Sequence, residues 1–305
     1  MRVVITGHTG LIGSALAADL VADGHTVVGV SRRPHESVKS ESGAPQETIV
    51  WDVDAGTLDQ TALEGADAVV HLAGETVQGR WTKAKKERIL RSRVRSTKLL
   101  AGAVASLDVK PSVFVSGSAM GIYGDRGETE LTEQSATASG SFLADVCVAW
   151  EGAALSVESL GVRLSYARTG LVLSPDGGAL SRMALVTKLG AGGPLGNGKQ
   201  WWSWVSIEDT VAALRHMIDS EIEGPVNITA PVPVRQREFA QALGTALRRP
   251  SLLPAPGFAI KAVLGGFGGA LLESALVMPA ALEASGFVHL HRELRPALRS
   301  MLQDN

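Results

Sequence analysis

Residues 2–13, Arg2-Val-Val-Ile-Thr-Gly7-His-Thr9-Gly10-Leu11-Ile12-Gly13, decide the fold. A β-branched run breaks into glycines and then into a helical pattern, Leu11–Asp23, closed by Gly24 in the place of a C′ glycine. Gly7 allows a tight turn, Gly10 lets the backbone approach a diphosphate, and Gly13 lets the helix pack closely on the sheet. Thr9, Leu11 and Ile12 complete the loop, and the helix start offers free N–H groups and a positive dipole end to an anion. A glycine triplet alone is weak. Its position between a first strand and a helix is what points to a dinucleotide.

The same rhythm continues downstream. Short apolar runs at Thr26–Val30, Thr48–Trp51, Ala68–Leu72, Ser112–Ser116 and Arg163–Ala167 read as strands, with helices at Lys83–Ala105 and about Phe142–Leu160. This is an α/β chain with a doubly wound parallel Rossmann sheet and a smaller C-terminal substrate lobe. Residues 1–170 and 203–228 are assigned to the nucleotide-binding domain, and 171–202 with 229–305 to the lobe, because Gly/Pro-rich loops and an interrupted apolar tail replace the βα rhythm. WWSWVSIEDTVAAL, from Trp201, reads as one more strand leading into a helix that starts at Ser206 and Asp209.

The second strand ends in Ser31-Arg32-Arg33. An NAD site places an acidic residue about twenty residues after the glycines, whereas two guanidiniums and a hydroxyl suit a 2′-phosphate, so NADP(H) is the expected cofactor. Asp52, after the third strand, and Leu72-Ala73-Gly74, after the fourth, fall at the carboxyl edge where adenine and ribose should rest.

Bulk properties narrow the class. In 305 residues, 29 Lys and Arg nearly balance 31 Asp and Glu, so no global charge draws the chain to nucleic acid or an anionic membrane. The lone Cys147 leaves no disulfide framework and fits a reducing compartment. The most apolar segment, Ala262–Leu272, is about half the length a membrane span needs. A cytoplasmic protein with a small-molecule substrate and no metal is expected.

TGHTGLIG, SRRP, Trp51-Asp52, HLAGE (71–75) and SGSAMGIYG (116–124) together resemble the extended short-chain dehydrogenase/reductase superfamily, the NAD-dependent epimerases and dehydratases. RWTKAKKERILRSRVRSTKLL, VCVAWEGAA, GGPLGNGKQWWSWVSIED and RRPSLLPAPGFAIKAVLG resemble its atypical epimerase family protein branch, with a DUF1731-like C-terminal segment. The resemblance implies a Ser beside the substrate, matched by Ser118, with Tyr123 on the same loop. It also implies a Tyr-x-x-x-Lys pair that this chain lacks: Cys147 stands in the tyrosine position and Glu151 in the lysine position. Arg93 replaces an asparagine and is expected to approach the cofactor's ribose or diphosphate; Trp150 is expected to contact the cofactor. Cys147 reads as a buried hydrophobe or an acid/base group, Glu151 as a base if burial raises its pKa, and Tyr123 equally as packing or catalysis.

From Arg80 to Lys98 the chain carries nine basic residues and one acidic, Glu87. Leu90, Val94, Thr97 and Ala101 are expected to face the sheet and Lys85, Arg88, Arg91 and Arg95 the solvent, either as a plain basic face or as a surface that steers an anion. Trp202 and Trp204 should pack in the core and Trp201 on the opposite face; His289-x-His291 reads as surface. Two functions follow: an NADP(H)-dependent oxidoreductase or epimerase, or an NADP(H)-binding sensor acting through a protein partner.

Overall fold

The structure is a computed structural model that describes residues 1–33 and 47–303. Its strands are β1 (Arg2–Thr6), β2 (Thr26–Ser31), β3 (Glu47–Asp52), β4 (Thr57–Leu58), β5 (Ala68–His71), β6 (Val113–Ala119), β7 (Arg163–Thr169) and β8 (Gly224–Ile228). They form one sheet in the order β8-β7-β6-β5-β1-β2-β3-β4. All pair in parallel except the two-residue edge strand β4. Parallel strands buried on both faces need apolar side chains in both directions. In β1, Val3 and Ile5 point to one layer and Val4 to the other, all fully buried.

Helices α1 (Leu11–Ala22), α2 (Lys83–Ser106), α3 (Phe142–Ala154), α4 (Gly178–Lys188), α5 (Ile207–Asp219) and α6 (Gln236–Ala246) cover the sheet and build the outer lobe. Leu16 and Leu20 of α1 with Leu214 and Met217 of α5 fill one face; Leu100 and Val104 of α2 fill the other. Each such leucine contributes roughly 1.5–3 kcal/mol on burial. Helix α1 ends as its sequence implies: Gly24, at φ 78°, donates to Val21 O, and His25 donates to Leu20 O, a Schellman closure.

Three features differ from the sequence reading. The edge strand β8 was not anticipated, because GPVNI is short and opens on Gly-Pro. Trp204–Ser206 lies outside the main sheet and pairs in parallel with Leu171–Ser174, while Trp201–Trp202 pairs with Val234–Arg235. Helix α2 is turned so that Ile89, not Leu90, enters the core, since Arg93 and Ser96 follow Ile89 toward the strand ends.

The outer lobe packs Trp202, Trp204, Phe239 and Leu298 around Leu173. A return strand, Leu276–Val277, pairs with Glu130–Leu131 and ties the lobe to the loop after β6. Strand order reverses between β1 and β5, which puts a crevice at their carboxyl ends. Among the described residues no helix is long and apolar enough to cross a membrane.

Candidate functional site

The crevice opens on the glycine loop. Gly7 has φ 73°, and a Cβ there would stand 2.9 Å from Ala73 N and Leu72 C, in the backbone that leaves β5. A Cβ on Gly13 would stand 2.3 Å from Gly7 O, so loop and helix touch backbone to backbone. Gly10 caps α1 without a side-chain hydrogen bond and donates to Gly7 O at 2.9 Å. The first turn of α1, Leu11 to Gly13, therefore faces a cavity of about 550 Å³. A dinucleotide diphosphate fits this cradle: any side chain on the glycines would fill it, and the helix start supplies donors.

Behind the loop lies a buried polar row. His71 meets Thr6 Oγ1 at 2.6 Å through Nδ1 and Ser96 Oγ at 3.1 Å through Nε2. Burial, aided by the Arg93 cation, pushes its pKa down to about 3, so the ring is neutral. Arg93 lines the cavity, and its Nη1 donates to the carbonyls of Glu75 (2.9 Å) and Ile89 (3.2 Å). Its guanidinium lies over the Trp150 ring at 4.8 Å, and Gly74 leaves it room. Trp150 in turn lies across Gly117, whose Cβ would stand 2.7 Å from the indole. Its Nε1 is buried and finds no partner among the described residues.

Deeper still, Ser118, Arg168 and Asn227 stand side by side on β6, β7 and β8 in register. Ser118 Oγ donates to Glu151 Oε1 at 2.6 Å. Arg168 donates to both oxygens of Glu151, Nε at 2.8 Å and Nη2 at 2.9 Å, and through Nη1 to Tyr123 Oη at 2.9 Å. Tyr123 Oη donates to Asn227 Oδ1 at 2.8 Å. These contacts bear on three residues whose role the sequence left open. Tyr123 is fully buried, its hydroxyl is taken, and it does not line the cavity; it packs. Glu151 is not free to act on a ligand, since Arg168 holds both its oxygens in a two-pronged pair. Cys147 does line the cavity, but burial pushes its thiol up to about 12, so it remains protonated. Arg168 and Asn227 escaped the sequence reading because only strand register brings them to Ser118.

Of the remaining residues, Leu72 and Trp201 line the cavity and the others stand outside its lining. Ser31, Arg32 and Arg33 end β2, with Ser31 Oγ donating to Arg33 O and both arginines exposed. Pro34 of SRRP lies outside the described residues. Asp52 accepts from Asp54 and Ala55 N–H, each at 2.9 Å, so one of its oxygens shapes a turn. Leu72 lines the cavity; Thr9, Ala73 and Gly74 stand outside its lining. Lys85, expected in solvent, is largely covered in a 2.6 Å pair with Glu75. Trp201 borders the cavity, where its Nε1 donates to Glu128 at 3.0 Å and Arg235 stacks 3.8 Å from its ring. His289, expected at the surface, is buried with Nε2 against Thr229 O at 2.9 Å.

The profile of the NAD dependent epimerase/dehydratase family matches residues 3–229. The chain belongs to that family. Residues 255–301 match a second profile, the domain of unknown function DUF1731. Epimerase family protein ML0860 of Mycobacterium leprae is 40% identical over 299 residues, 97% of this chain and 94% of the relative. Human epimerase family protein SDR39U1 (isoform 2), solved with NADPH, superposes with a TM-score of 0.89 at 32% identity and 100% coverage of both chains. MoeE5, solved with UDP-glucose and NAD, gives a TM-score of 0.79 at 23% identity over 99% of this chain and 98% of its own, a likeness of fold alone.

Proposed function

We propose that this family member is an NADP(H)-dependent oxidoreductase or epimerase acting on a small molecule. The observation that carries the reading is the continuous cavity running from the first turn of α1 to Ser118. The human relative solved with NADPH and the pair Arg32 and Arg33 at the end of β2 support the phosphorylated cofactor. When bound, the nicotinamide would supply or accept a hydride. The amides of Leu11 and Ile12 would hold the diphosphate, and Arg32 and Arg33 the ribose phosphate. Arg93 and Trp150 would wall the ribose side and exclude water. Ser118, steered by Glu151, would orient the reacting oxygen.

Calorimetry tests the cofactor half: Arg32→Glu with Arg33→Glu should weaken NADPH by about 10–100-fold and leave NADH unchanged, as expected for lost charge-assisted hydrogen bonds. Equal affinity of the unaltered protein for NADPH and NADH would refute it. Turnover is tested by incubating the protein with NADP(H) and a panel of alcohols, carbonyls and sugar nucleotides while following nicotinamide absorbance and isomerised product.

A second reading, an NADP(H)-binding sensor, is favoured by one observation: Tyr123, Cys147 and Glu151 are each removed from free acid/base work by burial or pairing. It predicts a protein partner that is captured with NADPH present and lost with the Arg32→Glu variant.

A further inference from the structure

We propose that the inner end of this cavity takes a neutral, largely apolar alcohol, not a nucleotide sugar or another anion; the inference rests on the cofactor reading above and names its substrate class. The bulky side chains of the lining are mostly apolar, among them Met120, Leu143, Val146, Trp201, Trp202 and Leu271. A diphosphate moved into such surroundings loses its hydration and must find cations or many donors in return. Among the described residues, the ionisable groups of the lining are Arg93, Cys147 and Glu273. Arg93 is spent on two backbone carbonyls and the Trp150 face, at the cofactor side. Cys147 is an uncharged thiol. Glu273 has no salt-bridge partner among the described residues, and its carboxyl is raised by burial and by Asp125, so it would repel a phosphate or stand neutral. Arg235, stacked outside Trp201, is held by Glu128. Both of these cations are therefore committed elsewhere.

Hydrogen-bond polarity at Ser118 narrows the choice further. Both Glu151 oxygens accept from Arg168, and the Ser118 hydroxyl donates to one of them, so its proton points away from the cavity. What Ser118 Oγ offers the cavity is a lone pair. The complementary group is a hydroxyl that donates; a ketone oxygen would face an acceptor.

The test uses saturation-transfer NMR on the full chain with excess NADPH, after calorimetry has established whether NADPH binds. The probes are 1-indanol, 4-phenyl-2-butanol, 1-indanone and UDP-glucose. Both alcohols should receive saturation and UDP-glucose none. The ketone should bind about fivefold more weakly than 1-indanol, the worth of one hydrogen bond. Leu143→Glu, with folding checked by circular dichroism, should weaken 1-indanol about tenfold or more by adding charge to the apolar wall. A UDP-glucose signal that survives excess NADPH, silence from both alcohols, or a ketone binding as well as its alcohol would each overturn the proposal. Absence of NADPH binding in the first step would instead sink the cofactor reading, and the alcohol and UDP-glucose arms would still be read on the unloaded protein.

Discussion

Glu151 and Arg168 are both nearly enclosed, at 13% and 6% side-chain exposure, so each buried charge is compensated by the other. Glu151→Ala should cost about 3–5 kcal/mol in urea unfolding, because Arg168 is left as an uncompensated buried cation. The pair replacement Glu151→Leu with Arg168→Met should recover much of that loss, and failure to recover it would show that the pair does more than cancel charge. His71 carries a second prediction. Its pKa is about 3 folded and near 6.5 unfolded, so below pH 6.5 the unfolded chain binds the extra proton and stability falls with pH until about 3. Between pH 6.5 and 5 that amounts to about 2 kcal/mol. Urea curves at pH 7 and 5 should therefore differ by about that much less in His71→Gln than in the unaltered protein. At this scale the glycine loop was legible, because Gly7 and Gly13 answer steric demands that only one residue type meets. Arg168 was not, because its meaning comes from a neighbouring strand fifty positions away in the chain.

Elements were legible where periodicity and capping agree. Helices α1 and α2 begin and end within a residue of their predicted bounds, and Ser206 caps α5 by accepting from Asp209 N at 2.8 Å. The carboxylate of Asp209, read from spacing as a second cap, has another task. It is buried, and besides Ser206 Oγ it accepts the N–H groups of Leu290 (2.7 Å) and His291 (2.9 Å), pinning the segment before the last helix onto α5. Asp209→Ala should lose about 2–3 kcal/mol, as hydrogen bonds to a charged group do, and hydrogen exchange should quicken at Leu290 and His291 before it does in β1. Uniform quickening across the chain would deny Asp209 that local role. The rotation of α2 was not legible, since Ile89 and Leu90 are equally apolar and only the polar row at His71 and Ser96 decides which one turns inward.

At the scale of the molecule, family, sheet and crevice were legible together, because a βα rhythm with a phosphate loop admits few topologies. The closing strand was not. Strand β8 completes the sheet on β7 only after the chain has left for α4, the tryptophan strands and α5. A chain ended at residue 223 should keep its first helices yet sediment as aggregates, since β7 would present an open edge backed by Leu164 and Tyr166; a monodisperse product would contradict this. The same delay bears on synthesis in the cell. While a ribosome is still adding the stretch between Thr169 and Gly224, the nascent chain already holds six-sevenths of its parallel strands with one flank unprotected, and the Ser118 row lacks Asn227. For that interval the open flank of β7 is the surface most prone to pair with a neighbouring chain.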